Sequence, residues 1–223
     1  MHKDTIKNSI REDASEEFDI LFPERFIKNT DYYNSLMMMY RCAIREVSTK
    51  LEVLDDEFSV KYKRNPISSI KSRIKTPLSI YNKLQRLGYE FTEQNIREQL
   101  NDVAGIRVIC SFIDDIYAVA HLLAEQDDIT IIRIKDYIQN PKPNGYRSYH
   151  MIIEIPVFFA EGKTPIRAEI QIRTIGMDFW ASLEHQLRYK KDLGNNEQYA
   201  LITQKLTECA RTITATDNQM QDI

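Results

Sequence analysis

The 223-residue sequence is poor in chain breakers, with six glycines and seven prolines, and it holds only three cysteines and one tryptophan. So few breakers, with 43% hydrophobic residues, exclude a low-complexity or disordered chain. The length fits one well-packed domain, since chains usually divide only beyond roughly 250–300 residues. No apolar run approaches the ~20 residues that span a bilayer, which predicts no membrane association. Residues 1–13 carry acids and lack an apolar stretch, so no secretory signal is expected and the protein reads as soluble and cytoplasmic.

Charge of one sign is also lacking. Thirty Lys and Arg against 33 Asp and Glu leave a formal charge of −3, which argues against binding duplex DNA through whole-molecule charge. The balance is uneven, however: residues 61–90 hold eight basic residues and one acid. Cys42, Cys110 and Cys209 are far apart among apolar neighbours, which excludes a disulfide framework or zinc cluster and predicts buried thiols. There is no His-Glu-x-x-His, no Gly-x-Gly-x-x-Gly and no Gly-x-x-x-x-Gly-Lys-Ser/Thr, so histidine-based metallohydrolase, dinucleotide and P-loop readings lack their fingerprints.

What is present is an alternation of helical and strand patterns. Residues 1–28 read as a loosely ordered lead-in ending in an apolar cluster, Phe18, Ile20, Leu21 and Phe22. Tyr33, Met37, Tyr40, Ile44, Val47, Leu51, Leu54 and Phe58 then form a 4-3-4-3-4-3-4 stripe on a long helix, to be covered by the domain or by another subunit. Asn65-Pro66 breaks the pattern. A basic helix starts near Pro77 and ends at Gly88, and a short one follows within 96–103. Strands are predicted at 106–112, 129–134, 148–159 and 167–173, with Gly162 at a hairpin and a helix after 112 capped by Asp114. Helices at 174–190, with Met177, Trp180, Leu183 and Leu187 as core contacts, and at about 197–214, presenting Ile202, Leu206, Cys209 and Ile213, complete the chain. The tail from Asp217 is polar and expected to fray. The fold class is α/β (mixed α+β): a central mixed sheet between helices.

Several groups suit phosphate chemistry. In the strand 167–173, Ile166, Ala168, Ile170 and Ile172 share one face, while Arg167, Glu169, Gln171 and Arg173 share the other. That polar row is either solvated or a ligand-facing surface. Asp102 stands at the entrance to an apolar strand, where a carboxylate can hold a hard cation such as Mg²⁺ or simply cap a turn. Arg107 alternates outward from the same strand. Lys71, Arg73, Lys75, Lys83 and Arg86 suit a polyphosphate, or a solvated helix. Tyr62, Tyr81 and Tyr89 are interleaved with those cations as single-stranded RNA would require. Tyr146 follows an Asn-Gly turn, with Arg147, Ser148, Tyr149 and His150 behind it: donors and aromatics enough for a nucleotide pocket.

In order along the chain stand Ser72-Arg-Ile-Lys75 with Ser79-Ile-Tyr-Asn-Lys83, Asp102-Val-Ala-Gly-Ile-Arg107, Asn144-Gly-Tyr-Arg-Ser-Tyr-His150, Glu169-Ile-Gln-Ile-Arg-Thr174, and Met177-Asp-Phe-Trp-Ala-Ser-Leu-Glu-His185. This ordered set, over roughly residues 32–215, resembles the synthetase domain of the RelA/SpoT superfamily, and within it the small stand-alone alarmone synthetases. The resemblance implies a nucleotidyltransferase-like synthetase fold over 29–215 with flanking oligomerisation helices, which leaves 216–223 as the polar tail expected to fray. It implies transfer of pyrophosphate from ATP to the 3′-hydroxyl of GDP or GTP, giving ppGpp or pppGpp and AMP. Carried over residue by residue, Asp102 would coordinate Mg²⁺, and Glu169 would act at the 3′-hydroxyl as base or second metal contact. Arg73 and Arg107 would sandwich adenine, and Lys75 and Lys83 would hold the ATP phosphates. Tyr146 would stack on guanine, His150 would contact the acceptor's phosphates, and Asn144, Gln171 and Arg147 would complete acceptor binding.

As base, Glu169 would need either a metal-assisted hydroxyl or a raised pKa. The resemblance further implies a homotetramer, which the stripe from Tyr33 to Phe58 would fit as well as it fits intramolecular packing. It lacks the His-Asp motif of the long members' hydrolase domain, so synthesis without hydrolysis is expected. Residues 140–145 resemble the type less responsive to activation by product. The alternatives are an Mg²⁺-dependent nucleotidyl or phosphoryl transferase with another acceptor, and a non-catalytic nucleotide or RNA regulator; single-stranded RNA binding is compatible with catalysis.

Overall fold

In the computed structural model the described residues are 30–190 and 196–223. The expected lead-in and its cluster around Phe18 lie outside them. The helical stripe forms α1 (Thr30–Tyr62). Its positions Met37, Tyr40, Ile44, Val47, Leu51 and Leu54 are all buried, within one core that includes strand residues such as Ile106, Ile155 and Ile170. The domain itself therefore covers the stripe, and it is not an intersubunit seam.

After the Asn65-Pro66 break the chain forms β1 (Ile67–Ile74), which the pattern of the sequence did not announce. It is an edge strand, antiparallel to β2 (Ala104–Cys110), with Lys71, Ser72 and Arg73 exposed. A strand with one neighbour and one wet face needs little apolar alternation, and its charges discourage further pairing. Between these strands come α2 (Pro77–Leu87), capped by Thr76 and ended at a left-handed Gly88, and α3 (Glu93–Gln99), capped by Thr92.

Helix α4 (Ile113–Ala124) follows β2. Its N-cap position is Phe112, not Asp114, and Asp115 in the first turn reaches back to it: the Asp115 carboxylate accepts from the Phe112 N–H at 3.3 Å and forms a forked ion pair with Arg64. Burial of Asp115, at 1% exposure, needs both contacts, whereas Asp114 points to solvent. Strand β3 (Thr130–Asp136), β4 (Tyr149–Phe159) and β5 (Gly162–Thr174) complete a five-stranded sheet of order β1-β2-β5-β4-β3. All neighbours run antiparallel except β2 and β5.

The sheet has two unlike faces. Ile106, Val108, Ile166, Ala168, Ile170 and Ile172 are buried on the side of the main core, as the alternation predicts. On the other side the register sets Lys71 beside Arg107, Arg107 beside Gln171 and Gln171 beside His150. Four adjacent strands thus contribute to one polar wall.

Helix α5 (Ile175–Lys190) and α6 (Asn196–Gln221) pack against each other at the end of that wall. Trp180 and Ala210 are buried between them, with Leu206 and Ile213 packed alongside, and the Trp180 indole donates to the Leu206 carbonyl at 2.9 Å. Met177 and Trp180 are core residues, but Leu183 and Leu187 are exposed, since α5 turns only its Met177–Trp180 side inward. Cys209 is also exposed and Cys42 half-buried, so only Cys110 is the buried thiol expected of all three. The tail expected to fray from Asp217 is helical through Gln221. Asp217 is tied down by the Thr174 hydroxyl at 2.9 Å and by Arg147 at 3.6 Å.

Candidate active site

The polar wall lines two clefts that meet at Gln171. The first, about 240 Å³, is bounded by Lys71, Arg73, Asp102, Gly105, Arg107, Glu169 and Gln171. Its floor is open where β2 carries Gly105, and the Arg73 side chain lies over that glycine. Asp102, just before β2, pairs with both Lys75 at 2.9 Å and Lys83 at 2.8 Å. Burial alone would raise the Asp102 pKa, but the two ammonium groups outweigh it and hold the carboxyl below its ordinary range. Arg107 is stacked among like charges: burial, with Arg173 and Arg73 nearby, lowers its pKa, and its Nε is buried without a protein partner.

The second cleft, about 630 Å³, is bounded by Lys142, Asn144, Tyr146, His150, Gln171 and Glu184. Between the two clefts runs a closed ring of hydrogen bonds. Arg173 Nη2 donates to the Tyr146 hydroxyl oxygen at 2.7 Å and to Gln171 Oε1 at 2.8 Å. The Tyr146 hydroxyl lies 2.8 Å from His150 Nε2, and His150 Nδ1 lies 3.3 Å from Glu169 Oε1. Gln171 Nε2 donates to Glu169 Oε2 at 2.9 Å, closing the circuit. Arginine can only donate, so the Tyr146 oxygen accepts from it, and His150 bridges that oxygen at Nε2 to the Glu169 carboxylate at Nδ1.

Both oxygens of Glu169 thus accept hydrogen bonds. Burial pushes its pKa up, but His150 and Gln171 more than offset that and hold it below the ordinary value, with Asp102 acting in the opposite sense. Of the two ways sequence reasoning left for Glu169 to act as a base, the raised pKa is not the one built here. The influence of Asp102 on Glu169 also shows that two carboxylates address one cleft. Among the described residues no group of three or more His, Cys, Asp or Glu could hold a metal ion by itself. A hard cation held by one or two carboxylates and by substrate phosphates fits this donor set, because Mg²⁺ keeps several non-protein ligands.

Of the residues singled out in the sequence, Arg73, Lys75, Lys83, Asp102, Arg107 and Glu169 converge on or beside the first cleft. Asn144, Tyr146, His150 and Gln171 converge on the second. Arg147 does not join them. Its neighbour Tyr146 faces the cleft, while Arg147 is held against α6, where it donates to Thr214 at 3.1 Å and pairs with Asp217. Of the three tyrosines suited to RNA stacking, Tyr81 packs edge-on against Phe91 and Tyr62 lies against Phe58.

Sequence reasoning assigned no role to four residues at the site. Arg173 is the hub of the ring at 4% exposure, Asp178 anchors it, Glu184 accepts from Asn144 at 3.3 Å, and Lys142 rests 4.8 Å from the rings of both Tyr137 and Tyr146. The signal for Arg173 was its place in the polar row with Glu169 and Gln171; Asp178 and Glu184 stand within the 177–185 stretch.

The family described as a region found in RelA/SpoT proteins matches residues 72–194, which hold almost all of this wall. The chain belongs to the RelA/SpoT family. Among its relatives is the GTP pyrophosphokinase YwaC of Bacillus subtilis, 46% identical over 86% of this chain and 90% of that protein. The GTP pyrophosphokinase YjbM of the same organism is 34% identical over 86% and 88% of the two chains. The solved structure of small alarmone synthetase 2 from B. subtilis matches with a TM-score of 0.75 at 44% identity, covering 86% of this RelA/SpoT chain and 97% of the other. That of small alarmone synthetase 1, bound to its product pppGpp, matches with a TM-score of 0.77 at 31% identity, covering 86% and 95%.

Proposed function

We propose that this chain is a GTP pyrophosphokinase that moves the β,γ-pyrophosphate of ATP to the 3′-hydroxyl of GDP or GTP, forming ppGpp or pppGpp and AMP. The observation that carries the reading is the place of Glu169, which lines the first cleft and is hydrogen-bonded to His150 of the second. A group transferred between nucleotides in the two clefts would pass beside that carboxylate. The names of the relatives and the coverage of nearly their whole length support the same reaction.

In this reading ATP occupies the first cleft. Arg73 and Arg107 present flat guanidinium faces to adenine, and Lys75 and Lys83 turn from Asp102 toward the phosphates. Tyr146 offers its ring to guanine in the second cleft, with Asn144, Gln171 and His150 around the acceptor. Arg147, facing α6, has its role in holding the loop. The 3′-oxygen attacks the β-phosphorus in line and AMP leaves, so the enzyme's work is mainly positioning and neutralising charge.

Asp102 and Glu169 would hold Mg²⁺, which supplies charge neutralisation at the transferring phosphoryl group when bound. Glu169, ionised and doubly hydrogen-bonded, orients the 3′-hydroxyl, and with its pKa lowered it would take the proton only from a hydroxyl made more acidic by the bound cation. The contact with His150 Nδ1 keeps the Glu169 carboxylate turned to that hydroxyl.

We further read the enzyme as a homotetramer. Ile175, Phe179, Leu183 and Leu187 recur every fourth residue along α5 and are all exposed, a face that a second copy would bury. Light scattering that gives a monomer at micromolar concentration would overturn this. No helix among the described residues is long and apolar enough to cross a membrane, and scattered free cysteines suit a reducing, cytoplasmic setting.

The test of the function is incubation with γ-labelled ATP, Mg²⁺ and GDP or GTP, beside Asp102→Asn and Glu169→Gln. Label on guanosine as a 3′-pyrophosphate, matched by AMP and lost in both variants, is the expected result. A folded protein that binds nucleotide but labels neither acceptor would overturn the assignment.

A further inference from the structure

Asp178 lies in the first turn of α5 and is 13% exposed at its side chain. Its Oδ1 receives Arg107 Nη1 at 3.2 Å and Arg173 Nη1 at 3.1 Å. One carboxylate oxygen thus sits between two guanidinium groups that belong to different clefts. Arg107 lines the first. Arg173 reaches the second through the Tyr146 hydroxyl and Gln171.

The two cations repel one another, and the charge of Arg173 is the second-largest cause, after burial, of the lowered Arg107 pKa. Their other contacts are unequal. Arg173 is also held by Ser148 at 3.3 Å, by Tyr146 and by Gln171, whereas the ion pair to Asp178 is what fixes Arg107, whose Nε has no protein partner.

We propose that Asp178 is a positioning residue that couples the two nucleotide subsites, holding Arg107 for the donor and Arg173 for the acceptor with a single carboxylate oxygen. It lines neither cleft. Without its charge Arg107 is driven out toward solvent by Arg173, and Arg173 shifts against Tyr146, so both subsites loosen together. An acid in the first turn of a helix also favours the helix dipole, and that structural role alone would change stability without changing nucleotide affinity. The proposal rests on the assignment of ATP and GDP to the two clefts.

The experiment measures binding of a non-hydrolysable ATP analogue and of GDP, with KM and kcat, for the full chain and for Asp178→Asn, Asp178→Glu, Arg107→Met and Arg173→Met. Asp178→Asn is expected to weaken both nucleotides by roughly tenfold each, a typical coupling for residues in direct contact. Added to Arg107→Met it should cost no further ATP-analogue affinity, and added to Arg173→Met no further GDP affinity. Asp178→Glu, which keeps the charge, should fall between wild type and Asp178→Asn for both nucleotides at once, and serves if the amide variant does not fold.

Loss confined to one nucleotide, no loss in either, or losses that multiply in the double variants would overturn the coupling while leaving the function intact. A wild-type chain that binds neither nucleotide would overturn both.

Discussion

Arg173 Nη2 stands 2.7 Å from the Tyr146 hydroxyl, and the same guanidinium lies over the Tyr146 ring, its central carbon 5.2 Å from the ring centre. The tyrosine is therefore fixed by its oxygen and presented by its face. Tyr146→Phe keeps the face and removes the link between Arg173 and His150. Arg173 retains Gln171, Ser148 and Asp178, so the fold should lose only about 1–2 kcal/mol. His150 loses its contact at Nε2 and with it the restraint that keeps Nδ1 3.3 Å from Glu169. The expected outcome is a fall in kcat of roughly tenfold with a nearly unchanged KM for the acceptor, whereas Tyr146→Ala should raise that KM as well. Steady-state kinetics of the two variants check the split.

The two site carboxylates should make the protein lose stability in acid. The folded-state pKa of Asp102 lies below its ordinary value of 3.8, and that of Glu169 below its ordinary 4.5. A carboxyl depressed by folding contributes stability above its unfolded pKa and loses it as pH falls through the folded one. Denaturant titrations from pH 7 down to pH 2–3 should therefore show stability falling below about pH 4.5, with a shallower fall in Asp102→Asn and in Glu169→Gln. Glu169→Gln should also lower kcat by at least roughly a hundredfold, the usual cost of losing a positioned base. An unchanged acid slope in both variants would show that the lysine and histidine contacts do not survive in solution.

How much of this was legible in the sequence depended on what each residue answers to. The β5 alternation and the α1 stripe are local periodicities imposed by burial on one face, so the apolar face of β5 is legible as core, while its polar face fits a solvated surface as well as a ligand-facing one. β1 was missed because an edge strand with a wet face carries no such pattern. Leu183 and Leu187 looked like core because helical spacing cannot tell a face packed on the sheet from one left open. The residues around the first cleft followed from ordered motifs. Arg147 is not legible as an α6 contact, because the residues that hold it away from the acceptor cleft, Thr214 and Asp217, lie far along the chain. Asp178 and Glu184 were invisible as site residues, since only the docking of α5 beside β5 brings them to Arg173 and Asn144.

Gly145 is where the acceptor loop touches α6. Its φ is +89°, and a Cβ built there would stand 2.5 Å from the Ala210 Cβ and 3.5 Å from the Thr207 Cα. Gly145→Ala therefore meets both a backbone conformation unfavourable to side chains and an overlap with a buried helix residue. The expected cost is about 1–3 kcal/mol, with the loop displaced and the acceptor KM raised. Combining it with Ala210→Gly removes the overlap and leaves the backbone strain, so recovery should be partial. Thermal melts and acceptor KM for the single and double variants test this, and full recovery would mean that the φ carries no penalty.

Asp217 should show the opposite pH dependence to Glu169. Its carboxylate is buried beside Thr174 and Arg147, and burial outweighs both contacts, so its folded-state pKa lies above the ordinary 3.8. A carboxyl raised by folding is favoured in its protonated form. The stability it contributes is full below the unfolded pKa, declines as pH rises from 3.8 through the folded value, and is absent at neutral pH. Asp217→Asn keeps an oxygen for the Thr174 hydroxyl and cannot ionise. Relative to wild type it should gain stability as pH rises from about 4 toward 7, while Asp217→Ala, which strips Thr174 of its acceptor, should lose stability at every pH. Parallel denaturation curves for the three proteins at pH 4 and pH 7 decide the matter. A wild type that gains on Asp217→Asn with rising pH would mean that the Arg147 pair, at 3.6 Å, outweighs burial.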